Sequence, residues 1–177
     1  MSLGRRHDFT LIELLTVMAV VAVLAGLLLP ALSTARGRAR EAACLSNVHQ
    51  IGIAIMSYVA DYRDHLPVAG RLGPEPLFAW PALRDALGAP VRDSAVFRCP
   101  GDTDTATALY PEFGTSYEWN TFLNGKLIDR AALRVVGMEI QAPLLGDAEA
   151  FHGNGRRNYL YPDGRVSSSL EILIHEP

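Results

Sequence analysis

The sequence lacks several features that mark catalytic and nucleic-acid-binding proteins. Its formal net charge is −3, so it has no excess of the basic side chains that bind nucleic acid. Its two cysteines, Cys44 and Cys99, stand far apart without a Cys-x-x-Cys spacing, which argues against a zinc knuckle. It contains no Gly-x-Ser-x-Gly motif and no evident pairing of a nucleophile with a base. We therefore expect no catalytic residue and no nucleic-acid partner.

The sequence is instead rich in apolar residues near its beginning. Residues 14–32 carry no charge. At about 1.5 Å per residue, a helix over 9–32 is long enough to cross a hydrocarbon core about 30 Å thick. Arg5 and Arg6 precede this run, and by the positive-inside rule they hold the N-terminus in the cytoplasm. Three arginines also follow the run, which weakens the rule: Arg36, Arg38 and Arg40. The first basic pair still places the rest of the chain outside the cytoplasm.

Several ordinary explanations compete for this segment. A basic start, an apolar middle and the small residues at 33–35 are typical of a cleaved secretory signal peptide. Arg5-Arg6 weakly matches a twin-arginine export signal, and a plain single-pass anchor is a third alternative. Glu13, a carboxylate near the start of the run, also has a local explanation. The residues from Thr10 to Glu13 fit a capping box that starts a helix.

The string "FTLIELLTVMAVVAVLAGLLLPAL", which begins at Phe9, closely resembles the N-terminus of type IV pilins and type II secretion pseudopilins. The resemblance implies that a prepilin peptidase cuts between Asp8 and Phe9 and methylates the new amine. It implies that Glu13 neutralises the N-terminal amine of a neighbouring subunit during assembly. It also implies a helix break at Pro30, where a proline kinks the helix. Asp8 departs from the glycine that the family usually carries before the cut.

This resemblance implies a function and a location. The chain would be a structural subunit of a pilus or secretion pseudopilus, with the prepilin peptidase and other subunits as partners. It would sit in the bacterial inner membrane as a single-pass protein, with its head in the periplasm or outside the cell. The alternatives are a membrane-anchored extracytoplasmic binding module and, with less support, a secreted enzyme. None of these readings requires a cofactor.

The sequence predicts four segments along the chain. Residues 1–8 form a leader, 9–32 a transmembrane and assembly helix, 33–66 an amphipathic helix that continues into the head, and 67–177 a globular head. Apolar residues recur at three- and four-residue steps from Leu45 to Tyr62, which is the helical period. The segments 9–32 and 33–66 are therefore expected to form one long helix, ending near Tyr62.

Short elements are expected in the head. "LFAWPALRDALG" predicts a short helix with Gly88 as its C-cap, and "VFRCPGD" predicts a strand that ends at Pro100. "TSYEWN", "RVVGMEI" and "PLLGD" predict strands, and "RNYLYPDGRVSSS" predicts a hairpin that turns at Pro162-Asp163-Gly164. The expected fold class is α+β and pilin-like, with a long kinked N-terminal helix packed on a small antiparallel sheet.

The end of the chain resembles a bacterial pseudopilin-like group whose signature is a histidine, nine residues and Asp-Gly. Here ten residues separate His152 from Asp163-Gly164. Asp147, His152 and Asp163 are weak candidates for a cation site, and calcium has a precedent among pseudopilins. We favour a simpler role, in which His152 bonds the loop backbone and Asp163 shapes the turn.

The loop after Pro100 and the two cysteines give two further predictions. The segment from Asp102 to Thr105 has two aspartates one residue apart without the rest of a calcium-binding loop, so we expect a solvated loop. If the head lies outside the cytoplasm, Cys44 and Cys99 can form a disulfide. Two buried thiols that do not meet are the alternative, and the distance between the Cα atoms decides between them.

Overall fold

The computed structural model describes residues 10–73, 81–88, 91, 93–103, 108–135, 138–152 and 155–175. The predicted leader 1–8 and the cleavage position between Asp8 and Phe9 lie outside these residues. Contacts divide the chain into two compact units, Met1–Arg38 and Ala39–Pro177. The described part of the first unit is almost entirely helix. The second unit, which we call the head, contains the end of that helix and all the strands.

The first element, α1, spans Leu11–Asp61 and is 51 residues long. Its residues from 11 to 40 are all exposed, and most of those up to Leu32 are apolar. This part is long and apolar enough to cross a membrane. Pro30 lies inside the helix, and Ser33 and Thr34 donate their hydroxyls to the Pro30 carbonyl at 2.8 and 3.1 Å.

Within the head, α1 buries one face. Its buried residues recur at three- and four-residue steps, as the sequence predicts, and they are Cys44, Val48, Ile51, Gly52, Ala54, Ile55 and Val59. The helix ends at Asp61, one residue before the predicted end. Arg63 and Asp64 follow with φ values of 55° and 63°. This left-handed backbone stops the helix and turns the chain away from its axis.

The strands form two antiparallel sheets. The four-stranded sheet has the order β1-β4-β5-β6, from Tyr117–Trp119, Leu145–Asp147, Tyr159–Leu160 and Val166–Ser167. The three-stranded sheet has the order β2-β3-β7, from Ala132–Val135, Met138–Gln141 and Leu173–His175. The predicted α+β, pilin-like class is confirmed. The single run "RVVGMEI" contributes to two strands, β2 and β3, rather than to one.

Short helical segments lie between α1 and the first strand. Helix α2 spans Leu83–Leu87 with Gly88 as its C-cap, as predicted, and α3 spans Leu109–Phe113. The strand predicted for "VFRCPGD" is wrong, because Ser94–Phe97 forms a 3-10 helix. The Asp93 carboxylate accepts a hydrogen bond from the Ala95 backbone N–H at 2.8 Å. This local bond favours a helical start over an extended strand.

The head's core lies between the buried face of α1 and the four-stranded sheet. Tyr117, Trp119, Leu145 and Leu160 are almost fully buried in it. A Cβ added to Gly52 of α1 would lie 2.8 Å from Leu160 Cδ1, so the helix approaches β5 closely at this glycine. Strand register places Tyr117 opposite Asp147. A carboxylate therefore enters this otherwise apolar layer.

Candidate functional site

A disulfide joins the helix to the rest of the head. Cys44 of α1 and Cys99, two residues after the 3-10 helix, are bonded, with their Cα atoms 5.0 Å apart. Both residues are fully buried. The structure therefore favours the disulfide over two separate thiols, the alternative that the sequence left open. The bond closes a long loop, since 55 positions separate the two cysteines.

His152 of the histidine–Asp-Gly signature lies against this disulfide. Its Nε2 atom is 3.8 Å from Cys99 Sγ and 3.0 Å from Asp147 Oδ2. The side chains of His152 and Asp147 are 2% and 0% exposed. Two titratable groups are thus enclosed next to a buried disulfide, an arrangement without access for a substrate.

Three donors converge on one oxygen of Asp147. Its Oδ2 accepts from Asn158 backbone N–H at 2.7 Å, from Asn158 Nδ2 at 3.0 Å and from His152 Nε2 at 3.0 Å. A buried carboxylate is strongly destabilising unless donors of this kind replace its water. The other oxygen, Oδ1, makes no hydrogen bond within the described residues. Together these bonds tie His152 and Asn158 to the end of β4 beside the disulfide.

The structure changes the predicted role of His152 and adds Asn158. The Nε2 atom of His152 lies 3.0 Å from both Asp147 Oδ2 and Asn158 Nδ2, where a bond to the loop backbone was predicted. The tautomer with Nε2–H donates to Asp147, and Asn158 Nδ2, itself a donor, is then only a close neighbour of the ring. Asn158 was not a predicted site residue. Its position two residues before the buried Leu160 places both side chains on the same face of the hairpin strand. That alternation was the available signal for an inward-facing asparagine.

Asp102 also belongs to the interior of the head. The sequence predicts a solvated loop here, which is wrong for Asp102, since it is only 3% exposed. Its carboxylate accepts from Ser116 Oγ at 2.7 Å and from the backbone N–H groups of Leu109 and Tyr110 at 3.2 and 3.0 Å. The first N–H groups of α3 need an acceptor, and Asp102 supplies it from a distance in sequence. Thr105 lies outside the described residues.

Tyr117 carries a buried hydroxyl beside these carboxylates. That hydroxyl makes no hydrogen bond of ordinary geometry within the described residues. Burial raises the pKa of Tyr117; the neighbouring Asn47 side chain opposes this, and the negative charges of Asp147 and Asp102 add to it. The hydroxyl is therefore held in its neutral form by its surroundings.

The predicted cation ligands do not all come together. Asp163 is exposed at the hairpin turn, where its Oδ1 accepts from Arg165 backbone N–H at 3.0 Å. Gly164 has a φ of 81°, the left-handed conformation that the predicted turn requires. Asp147 and His152 meet in the interior, with Asp163 outside their hydrogen bonds. Asp163 therefore shapes the turn, as the sequence predicts.

A metal site at the disulfide would need different chemistry. The sulfurs of Cys44 and Cys99 and a ring nitrogen of His152 lie within 4.8 Å of one another. Cysteine binds metals as a thiolate, and both sulfurs are committed to the disulfide. Calcium prefers about six to eight oxygen ligands, which a histidine and a disulfide do not provide. Calcium binding stays a prediction that this geometry does not favour.

At the other end of α1, the predicted capping box is formed. Thr10 donates its backbone N–H and its hydroxyl to Glu13 Oε2 at 2.9 and 2.7 Å. Glu13 backbone N–H donates in return to Thr10 Oγ1 at 3.2 Å. Glu13 is exposed. The Glu13 carboxylate therefore caps the helix of its own chain through Oε2. Because the side chain is exposed, it is also accessible to a neighbouring subunit.

Comparison with known proteins gives one finding. A family model described as a protein of unknown function (DUF1559) matches residues 33–86, which is less than a third of the chain. No curated protein and no solved structure matches. The family is typically associated with pilin-like proteins. Together with the apolar part of α1 and the α+β head, the match is consistent with a pilin-like protein that has a single membrane anchor.

Proposed function

We propose that the chain is a structural subunit of a pilus or secretion pseudopilus, cleaved before Phe9 and assembled through α1. The proposal rests on the difference between the two parts of this 51-residue helix. Its residues from 11 to 40 are exposed and mainly apolar, whereas one face of its later part is buried in the head. A helix that is apolar on all sides is stable in lipid or against similar helices, and not in water.

The partners in this proposal follow from the same segment. The prepilin peptidase acts at Asp8 and Phe9, other pilin or pseudopilin subunits pack against α1, and the inner membrane holds the subunit before assembly. The N-terminus is cytoplasmic, and the head is periplasmic or extracellular. Cleavage and methylation are the peptidase's chemistry, so the subunit itself needs neither catalytic residues nor a cofactor.

Glu13 has two separable roles in this proposal. Within one chain it caps α1 through Thr10. A charged side chain in the bilayer centre is unfavourable by about 2.5–3.5 kcal/mol when unpaired. An ammonium group at the N-terminus of a neighbouring subunit would offset much of that cost. The capping role needs only an acceptor oxygen, whereas the assembly role needs the negative charge.

Two single substitutions separate these roles. Glu13→Gln keeps an oxygen that can accept from Thr10 but removes the charge, and Thr10→Ala removes the hydroxyl partner but keeps the charge. Each variant is produced in the native host, with membrane pellets reporting insertion and sheared surface fractions reporting filaments. We expect Glu13→Gln to insert normally and to leave the filament fraction, and Thr10→Ala to assemble close to wild-type level.

The opposite pattern would contradict the assembly role. If Glu13→Gln assembles normally while Thr10→Ala does not, the carboxylate serves only to start the helix. If both variants assemble normally, assembly does not depend on the charge of Glu13 and the proposed assembly role of this residue is wrong.

A membrane-anchored binding module is the alternative function, and one observation favours it. A groove of about 400 Å³ opens on the outer face of the four-stranded sheet, lined by residues that include Arg71, Glu118, Phe122 and Tyr159. A volume of this size falls within the range of small-ligand pockets. A wild-type chain that inserts into the membrane but is absent from the sheared filament fraction would favour this alternative.

A further inference from the structure

The apolar part of α1 is followed by cations that have no partner in the described structure. Arg36 and Arg38 are exposed and make no ion pair or hydrogen bond among the described residues. No acidic residue occurs between Leu14 and Arg40. The proposed pilus function leaves these two side chains without a role.

About half of the described arginines of the head, by contrast, have a carboxylate partner. The pairs are Arg71–Glu118, Arg84–Asp85, Arg156–Glu41, Arg157–Glu149 and Arg165–Asp163. Exposed arginines without such a pair also occur among the described residues of the head, at Arg63 and Arg130. Arg36 and Arg38 differ from them by their place directly after the apolar run.

Helix geometry places Arg36 and Arg38 at a definite depth. The uncharged run from Leu14 to Leu32 is about 28 Å long at 1.5 Å per residue, close to the thickness of a hydrocarbon core. Arg36 and Arg38 then lie about 6 and 9 Å beyond its end. The polar headgroup layer adds about 5–8 Å on each side of the core, so both guanidinium groups reach headgroup phosphates.

The spacing of the two arginines also distributes their charge around the helix. Residues two apart in an α-helix are separated by about 200° around its axis, so Arg36 and Arg38 point to opposite sides. One lipid therefore cannot satisfy both, and separate lipids on the two sides can. A guanidinium group donates two parallel hydrogen bonds to phosphate, which makes arginine well suited to this contact.

We propose that Arg36 and Arg38 form a collar that binds the phosphate groups of anionic phospholipids in the leaflet next to the head. This inference rests on the membrane insertion in the proposed function and extends it to a specific lipid class. Charge complementarity favours the lipid, since the arginines lie at headgroup depth and Glu41, the next carboxylate in the sequence, pairs with Arg156. The collar sets the depth of α1 and holds the inserted subunit before assembly.

The experiment uses the full chain in lipid nanodiscs. One set contains phosphatidylcholine alone, and the other contains phosphatidylcholine with phosphatidylglycerol in equal amounts. Native mass spectrometry counts the lipids of each kind that remain bound after release. The wild type is compared with Arg36→Gln/Arg38→Gln and with Arg63→Gln/Arg130→Gln, which removes the same charge from exposed positions of the head.

The collar predicts that the wild type and the head control retain phosphatidylglycerol in preference to phosphatidylcholine. In the Arg36→Gln/Arg38→Gln variant the preference falls about fivefold for each arginine removed. If this variant prefers phosphatidylglycerol as strongly as the wild type does, or if the wild type has no preference, the collar is wrong. Normal insertion in either case leaves the proposed function standing. A chain that fails to enter either nanodisc overturns both.

Discussion

At the scale of single residues, the head depends on how its buried carboxylate is satisfied. Asp147 is enclosed beside the disulfide and receives all its described hydrogen bonds on one oxygen, from His152 and Asn158. Removing one donor leaves a buried charge with less compensation, which is more destabilising than losing an ordinary hydrogen bond. The signature histidine is therefore a structural residue that keeps this carboxylate satisfied.

The His152→Ala variant tests this role. It removes a donor from Asp147 and opens a cavity next to Cys99, so we expect the free energy of unfolding to fall by about 2–4 kcal/mol. Urea unfolding of the full chain in detergent micelles, followed by tryptophan fluorescence, measures the change. His49→Ala is the matched control, because His49 is exposed on α1, and it should stay within about 0.5 kcal/mol of wild type. Equal effects of the two substitutions would refute the structural role.

Tyr117 gives a prediction for alkaline pH. Burial raises its pKa, so above the unfolded value of about 10 the unfolded chain releases the proton and the folded head retains it. The stabilisation is therefore fully present below about pH 10 and is lost as the pH rises. Tyr117→Phe should be neutral or up to about 1 kcal/mol more stable at pH 7, since it removes an unpartnered hydroxyl.

The slope of stability against pH distinguishes this explanation from others. Between pH 10 and 11, the free energy of unfolding of wild type should fall by about 1 kcal/mol more than that of Tyr117→Phe. Parallel curves for the two proteins would show that Tyr117 ionises equally in both states. The comparison cancels the other tyrosines, which both proteins share.

Sequence reasoning reached some of these residues and missed others for a physical reason. Asp163 and Gly164 were predicted correctly, because a turn depends on residues adjacent in the chain. Asp102 was predicted to be solvated, yet its partners Ser116 and Tyr110 become its neighbours only after folding. Local patterns identify a residue that shapes its own turn, but not one that caps a helix several positions away.

At the scale of elements, periodicity predicted α1 and its buried face well. Apolar residues recur at the helical period over many turns, and the helix ends at Asp61, next to the predicted boundary. Most strands were located, but β7 was not predicted. The division into two sheets was not predicted either, because pairs such as β1 with β4 and β3 with β7 join distant segments. The strand predicted over "VFRCPGD" failed where a local bond from Asp93 outweighed the apolar pattern.

The disulfide is the strongest link between α1 and the segment after the 3-10 helix. Replacing Cys44 and Cys99 together with alanine frees a loop across 55 positions. The chain-entropy relation predicts a loss of about 4 kcal/mol in the free energy of unfolding. Thermal and urea unfolding of the full chain measure it. Ala42→Ser/Ser46→Ala, at exposed positions of the same helix, is the control and should change stability little. A loss below about 1 kcal/mol would show that packing alone holds the helix in the head.

At the scale of the whole molecule, one helix serves two environments. The part of α1 up to residue 40 is exposed along its whole length. The later part buries one face in the head, which includes Cys44, Ile51 and Ile55. The sequence predicted this change in character, since a continuous apolar run gives way to a spaced one. The sequence also supplies the pilin-like interpretation of Glu13, which the capping box within one chain neither requires nor contradicts.

Processing of the N-terminus is the step on which the proposed function depends. Asp8 stands where pilin-like proteins usually have glycine, so cleavage at this position is a direct test of the motif. Cleavage would remove residues 1–8 and leave the assembly segment at the new N-terminus. In a protein used only as an anchor, or in one exported by a signal peptide, the mature chain would begin at a different residue.

Intact-mass and N-terminal peptide mass spectrometry of the chain purified from its host membrane therefore give the decisive reading. Assembly as a pilin-like subunit predicts a mature chain that starts at Phe9 and carries a methyl group on its new amine. A chain that retains Met1, or one that starts at Arg36 after cleavage as a signal peptide, would contradict it.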